Sequence, residues 1–100
     1  LSFTENKPIG IAHVSLRSEY VNGTELGGTC GYLEAIYVRP EYRKNRIAAN
    51  LVRLCEMWAK EHGCREFASD CLLHNTDSYL FHLRLGFAET ERCIFFRKDI

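Results

Sequence analysis

The segment 32–58 constrains the fold more than any other part of the chain. A near-continuous apolar run, Tyr32-Leu-Glu-Ala-Ile-Tyr-Val38, is followed by a short polar turn carrying Pro40. Apolar residues at helical spacing come next: Ile47, Leu51, Leu54, Cys55 and Trp58. A short apolar run bounded by a turn reads as a buried strand, and an i, i+4, i+7, i+8 repeat reads as an amphipathic helix. Strand, tight loop and helix start therefore follow one another within a few residues. Arg43, Lys44 and Arg46 stand at the mouth of that helix. The first turn of a helix carries N–H groups without intrahelical partners and the positive end of the dipole, so it attracts anions, phosphates above all. Three cations beside it favour a phosphate-bearing ligand over an ordinary solvated turn.

The flanking sequence completes an α/β pattern. Residues 1–4 read as the tail of a strand, 5–8 as a turn, and 9–20 as a strand with Ile11, Val14 and Leu16 in partial alternation. Gly, Asn and Thr make 21–29 a hairpin loop, and 31–38 is the buried strand. Gly63 stops the first helix. A short strand at 66–69 follows, then a helix over 76–85 with Asn75 as N-cap and Gly86 as its stop. The last strand is expected at 87–98. The order predicts a mixed, mostly antiparallel sheet with helices packed against it.

Composition narrows the function. One hundred residues make at most one small domain, and 46% hydrophobic content leaves room for a core. A formal net charge of zero argues against a nucleic-acid binder, which needs a basic surplus. No apolar run approaches about 18 residues, so no membrane-spanning helix is expected. The start lacks a signal peptide's regions and a Met, and reads as that of a fragment. Five cysteines without a Cys-x-x-Cys pair suit a reducing cytoplasm better than a disulfide scaffold. Cys71 and His74, with His62 and Cys64, match no metal template well, so no metal is expected.

The strand, the Arg43-x-x-x-x-Ala48 loop and the helix resemble the acetyl-coenzyme A site of the GCN5-related N-acetyltransferases. Arg46 stands where that family has its first loop glycine. Four further segments, Ser18-Glu-Tyr-Val-Asn-Gly23, Leu33-Glu-Ala-Ile36, Phe67-Ala-Ser-Asp70, and His82 with Leu85-Gly-Phe-Ala-Glu-Thr-Glu-Arg92, are similar in their order to the aminoglycoside 6′-N-acetyltransferases. This subclass has a short chain and a shared C-terminal strand. The resemblance covers nearly all 100 residues and implies one partial acetyltransferase domain over 1–100, without the family's first strand and helices. It further implies acetyl-CoA as cosubstrate, transfer to the 6′-amine of a polycationic aminoglycoside and antibiotic resistance. The apolar run Ile94-Phe95-Phe96, too large for a monomer's edge, separately predicts a homodimer with 87–98 near the interface.

Carried onto this sequence, the resemblance assigns the pantetheine arm to Ile36, Tyr37 and Val38 and the pyrophosphate to Arg43, Lys44, Asn45, Arg46, Ile47 and Ala48. Asn75 would touch the pantetheine, and His82, where the family often has Tyr, would protonate the departing thiolate. Glu34 and Asp70 match the acidic positions that bind the acceptor and draw off its proton. Two readings stay open for each carboxylate: Glu34 as an acceptor ligand or the salt-bridge partner of a neighbouring Arg, and Asp70 as a proton acceptor or a cap. Tyr20, with Glu19 and Glu25, either lines the acceptor site or belongs to a solvated loop. Arg46 is expected in helical φ/ψ, pairing with a phosphate; the other possibility is a positive φ that strains it. Rival functions are acetylation of another polyamine or protein amine, and a non-catalytic CoA-binding or dimerising remnant.

Overall fold

The strand-turn-helix segment forms as its pattern dictates. A computed structural model describes residues 2–5, 7–43 and 46–100, in two compact units, Leu1–Asp70 and Cys71–Ile100. In the first unit β1 (Ser2–Glu5), β2 (Lys7–Arg17), β3 (Cys30–Val38) and β4 (Phe67–Ala68) form one sheet in the order β1-β2-β3-β4. The first two pairings are antiparallel and β3 pairs with β4 in parallel, so the sheet is mixed and mostly antiparallel. The parallel pair requires a crossover, which α1 (Ile47–Glu61) supplies after a 3-10 turn at Pro40–Tyr42. The pairing Glu5↔Lys7 corrects the expected turn at 5–8, because strand pairing continues up to this reversal. β2 also ends at Arg17, short of 20.

Helix α1 lies against one face of the sheet. A Cβ built on Gly31 would stand 2.6 Å from the Ala59 Cβ, and one on Gly10 would meet Leu51 Cδ1 at 3.3 Å. Gly31 is thus what lets α1 approach β3. Ile9, Leu51, Val52 and Cys55 are fully buried, with Ala12, Leu33, Val38 and Ala59 around them. Each buried aliphatic side chain of this size stabilises the fold by roughly 1.5–3 kcal/mol.

One irregularity in the register shapes the opposite face. His13 pairs with Ala35 and Val14 with Leu33, which leaves Glu34 as the extra residue of a β-bulge. The bulge changes the face that the chain presents between Leu33 and Ala35, and Glu34 is exposed rather than set in the strand's core. The 18–29 connection is pinned rather than loose. Glu66 accepts from the N–H groups of Glu25 and Leu26 at 2.9 and 2.8 Å, and Arg65 donates to the Leu26 carbonyl at 2.7 Å.

In the second unit α2 (Thr76–Arg84) is capped by Asn75, whose Oδ1 accepts from Ser78 N–H at 3.1 Å. Gly86, at φ 93°, ends it in the left-handed region that glycine enters without strain. The expected strand at 87–98 does not form. A strand exists only against a ladder partner, and 87–100 has none among the described residues. Ile94, Phe95 and Phe96 are 81–91% exposed.

Candidate active site

On the sheet face away from α1, the two carboxylates singled out by the sequence are joined in one network. Regular alternation puts Ser15 and Arg17 on the same face of β2. Tyr32 lies opposite Ser15 on β3, and Glu34, two residues on, reaches the same side to meet Ser15 and Arg17. Arg17 grips Glu34 through Nη2 to both oxygens, at 2.7 and 2.8 Å, and through Nε at 3.1 Å. Ser15 Oγ donates to Oε2 at 2.5 Å. The Ser15 hydroxyl first, and then Arg17, hold the Glu34 carboxyl below its ordinary pKa. The Arg17 guanidinium carbon lies 3.5 Å from the Tyr32 ring centroid, a cation–π contact. The Tyr32 hydroxyl donates to Asp70 Oδ2, two residues beyond β4. Burial, then that bond to a carboxylate, pushes the Tyr32 phenol well up, so it stays a proton donor.

Glu34 is therefore the partner of a neighbouring Arg, as one of the two open readings had it, and Asp70 accepts from a buried tyrosine. The sequence reading missed Ser15, Arg17 and Tyr32. The i, i+2 spacing of Ser15 with Arg17 and of Tyr32 with Glu34 puts each pair on one face of its strand, but only the register that sets Ser15 opposite Tyr32 shows that the two faces are the same one. Tyr20 is 74% exposed and stands outside this network. Glu19 is exposed, and Glu25 is tied to Glu66 by its backbone.

The edge of β3 offers a place for an extended ligand. β4 pairs only with Gly31 and Tyr32, and Ser69 Oγ reaches the Leu33 carbonyl at 3.4 Å. Beyond that, the side of β3 away from β2 carries no ladder among the described residues, and Ile36, Tyr37 and Val38 lie along it. An extended arm can add there as a strand does. Arg43 ties the following loop to the strand end: its Nε donates to the Val38 carbonyl at 2.9 Å, and its guanidinium lies 5.6 Å from the Tyr37 ring centroid. Helix α1 opens with Ile47 and Ala48 and has no acidic residue in its first turn, so no carboxylate of that turn competes with an anion for its N–H groups. Lys44 and Asn45 lie outside the described residues.

Arg46 departs from the expectation. It is the N-cap of α1 at φ 62°, ψ 16°, the only non-glycine residue with positive φ among the described residues. The Asn50 N–H bonds its carbonyl at 3.0 Å. The helix thus starts one residue later than helical φ/ψ at Arg46 requires, and the left-handed backbone costs on the order of 1 kcal/mol in a residue bearing a Cβ.

Asn75 and His82 belong to the second unit. Asn75 uses its carbonyl oxygen as a cap, leaving the amide nitrogen as the part suited to a ligand. His82 Nδ1 lies 2.7 Å from the Ser78 carbonyl, with the Phe81 and Phe87 rings at 5.8 and 5.2 Å. A carbonyl only accepts, so the proton is on Nδ1, and Nε2 gives up a proton only when the ring is doubly protonated. Among the described residues no group of His, Cys, Asp and Glu suits a metal ion, and no helix is long and apolar enough to cross a membrane.

The chain is similar to known proteins in sequence and fold. The model of the acetyltransferase (GNAT) family matches residues 2–87. Aminoglycoside N(6′)-acetyltransferase type 1 of Acinetobacter haemolyticus is 45% identical over 100 residues, all of this chain and 68% of that protein. The crystal structure of the 6′-N-acetyltransferase AAC(6′)-IG from the same organism, without ligand, superposes with a TM-score of 0.91 at 45% identity, over 100% of this chain and 68% of that one. AAC(6′)-Iy in complex with the bisubstrate analogue CoA-S-monomethyl-acetylneamine superposes with a TM-score of 0.90 at 41% identity, over 98% and 66%. The chain belongs to the acetyltransferase (GNAT) family.

Proposed function

We propose that the chain transfers the acetyl group of acetyl-CoA to the 6′-amine of an aminoglycoside, and so confers resistance to that antibiotic. The observation that carries this reading is the Glu34–Arg17–Tyr32–Asp70 network on the sheet that also bears the open edge of β3. Acetyl transfer from a thioester needs the amine to lose a proton, the carbonyl to be polarised and the thiolate to leave. Asp70 takes the amine proton, directly or through water, and Tyr32 fixes its carboxylate. Glu34 Oε1 keeps capacity for one more donor from the acceptor. The backbone of Ile36–Val38 holds the pantetheine, and Arg43 with the first turn of α1 holds the pyrophosphate. Positioning supplies much of the remaining acceleration.

Transfer is direct. Burial pushes the Cys30 and Cys55 thiols up, away from the thiolate a nucleophile requires. All five cysteines are free, which supports a reducing cytoplasm as the compartment. His82 is the candidate acid for the leaving thiolate. The exposed run Ile94-Phe95-Phe96 supports pairing with a second copy through 87–98. A dimeric mass at micromolar concentration is the expected result, and a monomeric one refutes it.

The test of function is thiol release from acetyl-CoA with neamine as acceptor. Neamine-dependent release is expected, and its absence at saturating concentrations of both sinks the reading. Strain at Arg46 favours a second reading, a CoA-binding remnant, which predicts CoA binding without turnover.

A further inference from the structure

The Arg17 guanidinium sits inside the acceptor site and serves no step of the reaction above. We propose that Arg17 sets the charge of that site. It is a permanent counter-ion for Glu34, so the acceptor meets one net negative charge where two carboxylates stand. The inference rests on the proposed acceptor class and adds what the site demands of it.

Three observations carry it. Glu34 Oε2 already accepts from Ser15 Oγ, Arg17 Nε and Arg17 Nη2, and Oε1 accepts from Arg17 Nη2. A carboxylate has about four lone-pair sites, so only Oε1 retains room, and for a single donor. Next, Arg17 is clamped from two sides, by the carboxylate and by the Tyr32 ring at 3.5 Å. A planar guanidinium bound at both oxygens and stacked on an aromatic face is harder to displace than a lysine ammonium would be. Last, the clamp reaches the other carboxylate, because the Tyr32 hydroxyl is bonded to Asp70. Removing Arg17 leaves Glu34 and Asp70 as two uncompensated charges on one face. Formally the three ionised groups sum to minus one, and a polycation is held by one strong ammonium contact at Asp70 and one polar contact at Glu34.

The alternative is that Arg17 merely shapes Glu34 to receive an ammonium, and the two roles predict opposite signs. Neamine binding is measured by calorimetry for the wild-type chain, Arg17→Gln and Arg17→Lys, at low and moderate salt. Arg17→Gln should bind about threefold to tenfold tighter at low salt, with the gain shrinking as salt rises, since the added attraction is Coulombic and screened. Arg17→Lys, which keeps the charge but is easier to displace, should gain clearly less than Arg17→Gln. Unchanged or weaker binding by Arg17→Gln, or equal tightening by both variants, overturns the proposal.

A second measurement needs no variant. The Arg17 Nε–H resonance of the wild-type chain should keep its ion-pair shift at saturating neamine, and loss of that shift means displacement and overturns the proposal. If the wild-type chain neither binds nor acetylates neamine, the proposed acceptor class fails. The charge role is then read with spermine, where tightening by Arg17→Gln supports it and no tightening refutes it.

Discussion

The two units of this chain solve the burial problem differently. In Leu1–Asp70 a helix covers one face of a sheet, and Ile9, Leu51, Val52 and Cys55 are sealed between them. In Cys71–Ile100 no residue is buried, and Ile94, Phe95 and Phe96 are nearly bare. Both units are rich in apolar residues, so composition does not separate them. The separation comes from geometry: β2 and β3 pair along their lengths and give α1 a surface to pack on, whereas α2 is a short helix followed by chain without a ladder. The carboxylate network follows the same line, because Glu34 and Tyr32 stand on β3 in the first unit and Asp70 is bonded to Tyr32.

The largest effect should test that division of chemistry. Asp70→Asn removes the proposed proton acceptor without changing shape, and should lower turnover by about 10²- to 10⁴-fold while leaving CoA binding intact. His82→Gln, in the second unit, should cost less than tenfold, because His82 Nδ1 is committed to the Ser78 carbonyl and an amide keeps a donor at that place. Steady-state kinetics at pH 7 decide it, and a reversed order would move the chemistry to the second unit.

Stability should divide in the same way. Leu51→Ala empties a fully buried site and should cost about 2–5 kcal/mol, whereas Leu83→Ala on α2, 42% exposed, should change stability by about 0.5 kcal/mol or less. Urea melts of both variants test this, and equal losses would show that α2 is buried in the working protein.

The helix ends offer a smaller contrast. Arg46 before α1 and Gly86 after α2 both have positive φ, at 62° and 93°, but only one is glycine. Arg46→Gly should relieve about 1 kcal/mol of backbone strain and, by letting the loop approach a pyrophosphate, tighten CoA binding by about tenfold, or roughly 1.4 kcal/mol. Gly86→Ala should destabilise α2. Calorimetry with CoA at two salt concentrations checks the first: weaker binding by the glycine form at both would show that the lost cation outweighs the strain.

Much of this was legible in the sequence where local pattern sufficed. The Tyr32–Val38 run, the periodicity from Ile47 to Trp58, the Asn75 cap and the Gly86 stop each announce an element by residues adjacent in the chain. What stayed hidden depends on register between distant segments. The bulge at Glu34 is set by which β2 residue faces Ala35, and Arg17 is recognisable as the partner of Glu34 only once that register is known. The backbone angle of Arg46 depends on where α1 starts, and one residue's difference changes it from relaxed to strained. The strand expected at 87–98 has apolar β-formers, yet a strand needs a partner that its own sequence does not encode.

The smallest effect concerns acid, and it separates the ion pairs of the two units. Glu34 is held below its ordinary pKa by Ser15 and then Arg17. A carboxylate with a depressed folded-state pKa stabilises the fold above its unfolded value, and the contribution is lost as pH falls through the folded one. The pair is partly exposed, at 42% and 26% for the two side chains, so screening limits its worth to less than about 1 kcal/mol. Thermal melts should therefore show the wild-type chain more stable than Glu34→Gln at pH 7, with the gap closing as pH falls below the ordinary carboxylate value of about 4.3. In the second unit the Glu89–Arg92 pair is exposed on both sides, and Glu89→Gln should leave the pH 7 melt unchanged. A gap for Glu34→Gln that persists undiminished in acid would mean that Glu34 acts through packing, and the charge role assigned to Arg17 would lose its footing.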